Sequence, residues 1–397
     1  MERDLQTSRD VIVIGGAVTG ASVAWWLTRF APGLRIGVIE RDPTYAKAAT
    51  ALSVASIRSQ FSNPVNVEIS RFGVKFLREF GTELHLDAGQ GDLGLKENGY
   101  LFLGGSPESP GVMADIAAMQ RGLGAATEVL TPDQVAQHWP WMQTQDLTAG
   151  SFGPRDEGWF DNMGLLGGFR TAARRAGVEF LRDEAVGLVL AGDRVTGVRL
   201  ASGAVLSAGA VVNCAGTRSA QVLGWAGVAL PVEPRKRTVF VIDAPNARHP
   251  EAPLIIDHRG YYMRPEQGGW ITATVPQDDR ACDPDDFEPD AHLFDDVIWP
   301  MLYQRSEGFD AVKVQRLWVG HYDFNTLDQN AVLGAVPGRS GLYLACGFSG
   351  HGLQQAPAVG RGLAELIVTG GYRSLDLSDL GMARVLEGRP FLERAIV

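Results

Sequence analysis

Residues 10–41, DVIVIGGAVTGASVAWWLTRFAPGLRIGVIER, decide the fold of this chain. The apolar run at 11–14 is typical of a strand that is buried on both faces of a parallel sheet. A glycine turn at 15–20 opens a helix pattern that continues to residue 29, and residues 35–40 then predict a second strand. This order of strand, turn, helix and strand places the positive end of a helix beside the turn. It indicates a site for the pyrophosphate of a dinucleotide.

Two residues of this unit bear on the identity of the ligand. Glu40 ends the second strand twenty residues past Gly20, where a carboxylate accepts hydrogen bonds from the ribose hydroxyls. Ala17 replaces the middle glycine of the usual pattern, although Gly16 beside it supplies some of the same backbone freedom. Glycines alone would equally fit an ordinary tight turn, so the flanking strands and Glu40 favour nucleotide binding.

The composition predicts a globular protein. Of 397 residues, 45% are hydrophobic and 21% are charged, which is enough apolar material for a large core. A formal net charge of −10 argues against a nucleic-acid surface. Residues 1–9 are polar, and the apolar run that follows is too short for a signal or a membrane anchor. We therefore expect no transmembrane segment and a cytoplasmic location.

Cysteine and histidine spacing indicates neither disulfides nor a metal site. Cys214, Cys282 and Cys346 are odd in number and far apart, so reduced and mostly buried thiols are expected. The seven histidines show no ligand spacing, and we predict no metal.

Later segments interrupt the nucleotide fold and then resume it. Short strands separated by turns at 178–206 predict a β-meander, and the apolar run at 210–214 ends on small residues, as strands do beside a ligand crevice. Residues 230–320 predict a separate sheet domain, in which the acid-rich and proline-rich stretch 278–290 indicates a solvated loop. A strand at 342–346 then enters a second glycine turn at 347–352, which opens a helix.

Two residues of these loops are candidates for ligand contact. Arg58 lies in a small-residue loop, where a guanidinium can clamp a carboxylate, although a surface salt bridge is the alternative. His351 lies inside the second glycine turn, which favours a functional role over that of an ordinary structural histidine.

These residues together resemble the FAD-dependent D-amino acid oxidase superfamily, and within it the glycine oxidase, sarcosine oxidase and dimethylglycine dehydrogenase-like enzymes. The matching stretches are 15–20, 40–41, 57–58, 212–216, 261–265 and 347–352. The resemblance implies an α/β fold with a Rossmann-like FAD-binding domain, discontinuous in sequence, and an α+β substrate domain with a mixed or antiparallel sheet. It assigns residues 8–92, 151–228 and 320–397 to the FAD-binding domain. It assigns residues 93–150 and 229–319 to the substrate domain.

The resemblance also implies noncovalent FAD and names its contacts. They are Gly15, Gly16, Ala17, Val18, Thr19, Gly20, Glu40, Arg41, Thr50, Ser56, Ile57, Val186, Cys214, Ala215, Gly216, Gly320, Gly347, Phe348, Gly350, His351, Gly352, Leu353 and Gln354. From the turn geometry we expect the backbone of residues 16–19 to contact the pyrophosphate, with Gly15 shaping the turn.

Three positions depart from the sarcosine oxidases that the chain resembles. Gly320 begins the segment that carries their flavin-linked cysteine, Gln354 replaces the lysine that meets the substrate carboxylate, and Ala273 aligns with the lysine that promotes reaction with oxygen. Loss of a cation near the flavin weakens stabilisation of superoxide-like charge, which favours a dehydrogenase over an oxidase. Lys236 is a candidate to approach the flavin in space instead.

The implied activity is FAD-dependent oxidation of a secondary or tertiary amine, an N-substituted amino acid, to an imine by hydride transfer to flavin N5. Candidate catalytic residues are Arg58, Tyr262, Tyr322, His351 and Gln354. The electrons would pass to oxygen or an external acceptor, since a second dinucleotide turn is missing. The alternatives are oxidation of a 2-hydroxy acid or polyol phosphate, and a non-catalytic FAD-containing assembly factor.

Overall fold

Two eight-stranded sheets organise the protein. The structure, a computed structural model, describes residues 8–87 and 89–394. Its strands are β1 (Ser8–Ile14), β2 (Ile36–Glu40), β3 (Ser56–Ile57), β4 (Tyr100–Gly104), β5 (Glu128–Leu130), β6 (Ala149–Gly153), β7 (Gly158–Trp159), β8 (Glu179–Arg182), β9 (Ala185–Ala191), β10 (Arg194–Leu200), β11 (Val205–Asn213), β12 (Val232–Asp243), β13 (Leu254–Ile256), β14 (Tyr261–Glu266), β15 (Gly269–Thr274), β16 (Lys313–Asn325), β17 (Val332–Ala335) and β18 (Leu342–Cys346).

Helices connect and cover these strands. They are α1 (Val18–Phe30), α2 (Ala49–Leu52), α3 (Pro64–Glu83), α4 (Ser109–Gly122), α5 (Pro132–His138), α6 (Asn162–Arg175), α7 (Ser219–Gly224), α8 (Trp299–Arg305), α9 (Gly352–Thr369) and α10 (Met382–Leu386). Short 3-10 turns occupy Gly216–Arg218, Glu307–Asp310 and Ser378–Leu380, and a π turn at Phe294–Ile298 precedes α8. Helix α5 begins with a capping box: the Thr131 side chain accepts from the Gln134 amide, and the Gln134 side chain accepts from the Thr131 amide.

The first sheet is built around β1. It has the order β17-β18-β11-β1-β2-β8, and β1 lies parallel to both β2 and β11. The apolar run predicted from the sequence is buried on both faces, as expected for a central parallel strand. The four-strand meander predicted over 178–206 is wrong at its first strand, because β8 pairs in parallel with β2. Of the four predicted strands, only the last three, β9 to β11, form antiparallel pairs with one another.

Helices α1, α3, α6 and α9 pack together on one side of this sheet. Aromatic side chains fill the space between them, with Phe76 stacked on Phe169 at 5.6 Å and in edge contact with Trp25 at 5.9 Å. Helices α1 and α9 approach very closely, since a Cβ added at Gly360 would lie 2.2 Å from Ser22 Oγ. Close packing of these helices therefore supports the strand–turn–helix unit on this side of the sheet.

The second sheet is mixed. Its order is β16-β12-β15-β14-β13-β4-β6-β5, in which β13 and β4 are parallel and the other neighbours are antiparallel. The predicted fold class, an α/β nucleotide-binding unit with a mixed-sheet second unit, is confirmed. Strands β6 and β16 run through the predicted boundaries at 150 and 320, and the division into five segments stays a prediction.

The sequence also led to expectations about membrane-spanning helices, metal sites and cysteines. Among residues 8–87 and 89–394, no helix combines the length and the apolar character needed to span a bilayer. The same residues contain no cluster of three or more side chains suited to a metal ion. All three cysteines are free, with Cys214 and Cys346 buried and Cys282 partly exposed.

Candidate functional site

A cavity of about 830 Å³ lies where the carboxyl ends of the first sheet meet the face of the second sheet. It extends from Glu40 and Ala185, past the first glycine turn and Cys214, to Tyr322 and the second glycine turn. The carboxyl ends of parallel strands are the usual ligand side of such sheets. The long shape of the cavity therefore matches an extended ligand that touches both turns.

The first glycine turn depends on two glycines. Gly15 has φ of +93°, and a Cβ at this position would lie 2.3 Å from the backbone oxygen of Cys214. A Cβ at Gly20 would lie 1.9 Å from the backbone oxygen of Gly15. Because these contacts are with backbone atoms, a side chain cannot be accommodated by a change of rotamer. The first glycine turn, helix α1 and the end of strand β11 are consequently in close backbone contact.

Helix α1 begins at this turn with its N-terminus turned to the cavity. Ala17 is its N-cap and makes no side-chain cap, and the first turn contains no acidic residue. The Val18 amide donates to Thr50 Oγ1 at 3.2 Å. Ala17, Val18 and Thr19 line the cavity. An anion placed there would complement the positive helix end.

Glu40 stands beside the same turn. Its Oε2 accepts from the Gly16 amide at 2.9 Å, and its Oε1 accepts from the Asp42 amide at 2.8 Å. Each carboxylate oxygen has a second lone pair, so the fixed side chain still offers acceptors to ligand hydroxyls. The ribose role of Glu40 stays a prediction, and these lone pairs are the groups that such a role requires.

The second glycine turn follows β18 and is held by Asp323. The Gly347 amide donates to Asp323 Oδ2 at 2.7 Å. Burial raises the pKa of Asp323 to about 6, against the opposing effect of hydrogen bonds from the Phe348 and Gly347 amides. Gly350 has φ of +98°, and a Cβ there would lie 2.7 Å from Tyr322 Cζ. The turn therefore packs directly against the tyrosine ring on β16.

Arg58 is a buried cation at the end of β3 and lines the cavity. Its guanidinium carbon lies 4.6 Å from the ring centre of Phe61 and 4.9 Å from that of Phe102. Within the described part of the chain it forms no ion pair, and its Nε has no hydrogen-bond partner there. A surface salt bridge is therefore not what this residue makes. A buried cation of this kind is suited to bind a carboxylate from outside the chain.

His351 and Gln354 hold Arg58 in place. Arg58 Nη2 donates to His351 Nε2 at 3.0 Å, and the backbone amide of Arg58 donates to Gln354 Oε1 at 2.7 Å. Burial, helped by the Arg58 cation, lowers the pKa of His351 to about 3. His351 is thus neutral near pH 7, with an unprotonated Nε2 that can accept. Gln354 supports the clamp through the Arg58 backbone.

An apolar wall continues from Arg58 across the second sheet. Cross-strand register aligns Phe102 with Ile256, Ile256 with Tyr262, and Tyr262 with Ala273. Of these residues, Ile256 and Tyr262 line the cavity. Burial raises the pKa of Tyr262 well above 10, so its hydroxyl stays protonated. Tyr322 lies beside the second turn and completes this end of the cavity.

The structure brings together most of the residues expected to contact FAD. Those lining the cavity are Gly15, Ala17, Val18, Thr19, Glu40, Arg41, Thr50, Ser56, Cys214, Ala215, Gly216, Gly320, Phe348, Gly350, His351, Gly352, Leu353 and Gln354. Gly16, Gly20, Ile57, Val186 and Gly347 are not among the lining residues, and Val186 is 49% exposed on β9. The five catalytic candidates Arg58, Tyr262, Tyr322, His351 and Gln354 all line it.

Lys236 does not supply a cation to the cavity. Its Nζ lies 3.2 Å from Asp286 Oδ2 and 3.1 Å from Asp290 Oδ1, and it is not among the lining residues. Arg237, which sequence reasoning missed, lines the cavity instead. Its guanidinium is 5.0 Å from the Tyr322 ring centre, and Asp279 neutralises it through contacts of 2.6 and 2.8 Å.

Residues 278–290, which we call the acidic strap, form an irregular loop with several exposed residues, as predicted, but the loop also contacts the cavity and distant cations. Asp279 and Asp285 of the strap line the cavity. Asp285 pairs with Arg218 at 2.6 Å and with Arg41 at 3.6 Å. Lys47 lies 5.0 Å from the Phe287 ring centre. Acidic side chains fold onto cations distant in sequence, which no local pattern reveals.

Comparison with known proteins gives the family of the chain and its cofactor. Residues 10–366 match the family described as FAD dependent oxidoreductase (DAO). The chain belongs to this family. It is 38% identical to FAD-dependent oxidoreductase domain-containing protein 1 of Xenopus laevis, over 99% of this chain and 86% of that protein. It is 25% identical to mitochondrial sarcosine dehydrogenase of Mus musculus, over 92% of this chain and 40% of that protein.

Solved structures show the DAO-family fold directly. L-proline dehydrogenase from P. horikoshii aligns with a TM-score of 0.85 and 24% identity, over 96% of this chain and 99% of that one. Glycine oxidase from Geobacillus kaustophilus aligns with a TM-score of 0.79 and 22% identity, over 95% and 99% of the two chains. The predicted family and its FAD cofactor are confirmed. The residues present fit FAD, because the cavity is lined by Glu40 at one end, by the acid-free N-terminus of α1 and by the second glycine turn at the other end.

Proposed function

We propose that this DAO-family oxidoreductase oxidises an N-substituted amino acid, a secondary or tertiary amine, to an imine that water then hydrolyses. The observation that carries the proposal is Arg58, a buried cation in the cavity with no ion-pair partner within residues 8–87 and 89–394. A substrate carboxylate would satisfy its charge and use the planar fork of the guanidinium. Bound FAD supplies the acceptor for the hydride that leaves the carbon beside nitrogen.

The residues of the chain bind and orient the substrate. His351 is neutral, so it steadies the guanidinium as an acceptor and adds no charge that would compete for the carboxylate. Tyr262 and Tyr322 line the same end of the cavity as walls and hydrogen-bonding groups. Positioning and exclusion of water can supply much of the catalysis in such a site, and a strong protein base is not required.

The apolar wall favours a substrate with one negative charge and apolar substituents. Leu254, Ile256 and Tyr262 line this part of the cavity. The carboxylates that line the cavity elsewhere are already engaged in several cases, as Asp279 is by Arg237 and Asp323 is by the Gly347 amide. A charged side chain on the substrate would lose hydration at the wall without gaining a partner.

Electron transfer from the reduced protein to an acceptor other than oxygen is part of the proposal. Ala273 is buried between Tyr262 and Val239 in cross-strand register, so an uncharged methyl group occupies the position of the family lysine. Lys236 is engaged by the strap, and Arg237 is neutralised by Asp279. We therefore propose a dehydrogenase with noncovalently bound FAD.

An anaerobic substrate panel tests the proposed function. Loss of flavin absorbance would be followed after addition of N-methyl amino acids with apolar, acidic or basic side chains, and of matched 2-hydroxy acids. We expect bleaching by the N-methyl amino acids with apolar side chains. Bleaching by hydroxy acids alone would refute amine oxidation. Absence of bleaching by both classes, with FAD fully bound, would support a non-catalytic role of the cofactor.

A further inference from the structure

Glu157 is a buried carboxylate in the layer directly behind Arg58. Strands β3 and β7 pair with Ile57 opposite Gly158, so the next residues along the two strands are Arg58 and Glu157. Glu157 is 2% exposed and does not line the cavity. Its carboxylate also needs Gly153, since a Cβ there would lie 2.2 Å from Glu157 Oε2. The chain thus makes room for a carboxylate at a position where substrate cannot reach.

This carboxylate holds the residues that follow Arg58. Glu157 Oε1 accepts from the Ser59 amide at 2.9 Å, and Oε2 accepts from Gln60 Nε2 at 2.8 Å. Gln60 is fixed as a donor, because Nε2 also donates to the Tyr100 carbonyl at 2.9 Å and Oε1 accepts from Ser151 Oγ at 2.7 Å. If the amide turned over, Gln60 Oε1 would face the Tyr100 carbonyl oxygen. The Ser59 amide and Gln60 Nε2 are therefore both donors, and Glu157 must offer an acceptor to each of them.

We propose that Glu157 is a positioning residue for the Arg58 clamp, and that protonation of Glu157 weakens binding of the substrate carboxylate. A protonated carboxyl carries an O–H that would point at one of two donors, so one of the two hydrogen bonds is lost. The segment 58–60 then keeps only part of its support, so the guanidinium, which His351 still contacts, is less firmly oriented. This inference rests on the proposed role of Arg58 in the function described above.

The charged and titratable surroundings of Glu157 are consistent with a change of protonation near neutral pH. Burial raises its pKa to about 7, the hydrogen bonds from Gln60 and Ser59 and the Arg58 cation oppose this rise, and Asp156 adds to it. Asp156 itself pairs with Arg71 and with Arg78. Above pH 7, Glu157 is ionised and the Arg58 clamp is held in place. As the pH falls through 7, Glu157 takes up a proton and the clamp is weakened.

Binding of benzoate to the FAD-loaded protein tests the inference without requiring turnover. The dissociation constant would be measured from the change in flavin absorbance between pH 5.5 and 9, for the wild type and for Glu157→Gln. We expect wild-type affinity to fall about tenfold as the pH drops through 7. The Glu157→Gln variant should bind about tenfold more weakly at pH 8 and show no inflection near 7. Benzoate has a carboxyl pKa far below this range, so its own titration does not interfere.

Two further variants make the result specific. Gly153→Ala crowds the Glu157 carboxylate and should also weaken benzoate binding at pH 8. Glu365→Gln is the matched control, because Glu365 is equally buried but accepts from the Arg373 and Ser374 amides at a place that does not line the cavity. Its pH profile should match the wild type. Asp323, whose pKa burial raises to about 6, is another buried carboxylate beside the cavity among the described residues.

The outcomes separate this inference from the proposed function. An unchanged inflection in Glu157→Gln, or no binding of benzoate at any pH, would overturn the role of Glu157. Failure of every amine to bleach the flavin would overturn the amine oxidation alone, because benzoate binding reports on the clamp and not on turnover. Where an amine is oxidised, the Michaelis constant should carry the pH dependence and kcat should not.

Discussion

Replacement of Arg58 by glutamine should remove the main attraction for the substrate carboxylate. A hydrogen bond that involves a charged group contributes about 1.5–3 kcal/mol. Since about 1.4 kcal/mol corresponds to a factor of ten, kcat/KM should fall by about 10- to 100-fold for the best amine of the panel. Most of this loss should appear in KM, because the guanidinium binds the carboxylate both before and during the reaction.

Two variants sharpen this experiment. Arg58→Lys keeps the charge but not the fork, so it should recover only part of the loss. Arg361→Gln is the matched control: Arg361 also lies over aromatic rings, 5.5 Å from Trp26 and 5.4 Å from Phe72, but it does not line the cavity. Steady-state kinetics with an artificial quinone acceptor would measure all three. An unchanged KM in Arg58→Gln, with normal FAD content, would refute the clamp.

The same variant has a second readout in His351. The Arg58 cation is one of the causes that hold the pKa of His351 at about 3, the larger one being burial. In Arg58→Gln the pKa of His351 should therefore rise, while burial keeps it below the usual 6.5. Titration of the histidine ring signals by NMR would detect the rise. No movement of that signal would mean that the two side chains are not in contact in solution.

Four other outcomes follow from the structure. Gly15→Ala should lose most bound FAD, measured as the ratio of flavin to protein absorbance, because a Cβ would lie 2.3 Å from the Cys214 oxygen; full FAD content would contradict this. Asp285→Asn should release FAD faster in low salt and show a weaker salt dependence than the wild type, as its pairs with Arg218 and Arg41 are lost; equal release rates would mean that these ion pairs do not help to retain FAD. For stability, the pKa of Glu157 is raised from 4.5 to about 7, so its contribution is present below pH 4.5 and about 3 kcal/mol is lost as the pH rises through 7. Denaturant unfolding of Glu157→Gln should lack this slope. Finally, the reduced protein should be reoxidised faster by an artificial quinone than by air, and rapid reoxidation in air would count against a dehydrogenase.

The nucleotide-binding half of the protein could be predicted because its signals are local. The run at 11–14, the turn at 15–20 and Glu40 lie within about thirty residues, and their spacing alone constrains the geometry. The second turn at 347–352 is equally local. These stretches therefore indicated FAD as the cofactor, even with Ala17 in place of a glycine, and the individual FAD contacts stay a prediction.

The rest of the site depends on contacts between distant parts of the chain. Glu157 has its role only because β7 pairs with β3, two strands of two residues each that periodicity does not detect. The strap is the irregular loop that its acids and prolines predicted, but its ion pairs with Arg41 and Arg218 could not be predicted, because those partners are distant in sequence. Likewise β8 was misplaced, because parallel pairing with β2 leaves no mark in a short strand.

The loop that carries Arg58 has a consequence for the order in which the protein matures. Its start is tied by Gln354, and its far end by Glu393, whose Oε2 accepts from the Ser62 amide and hydroxyl at 2.5 Å. Strand β1 likewise waits for β11, about two hundred residues later. During synthesis the ribosome must therefore deliver residue 393 before the clamp is complete. A nascent chain could begin to form its nucleotide turn early, yet the carboxylate clamp that we propose at Arg58 would form only in a late, cooperative step.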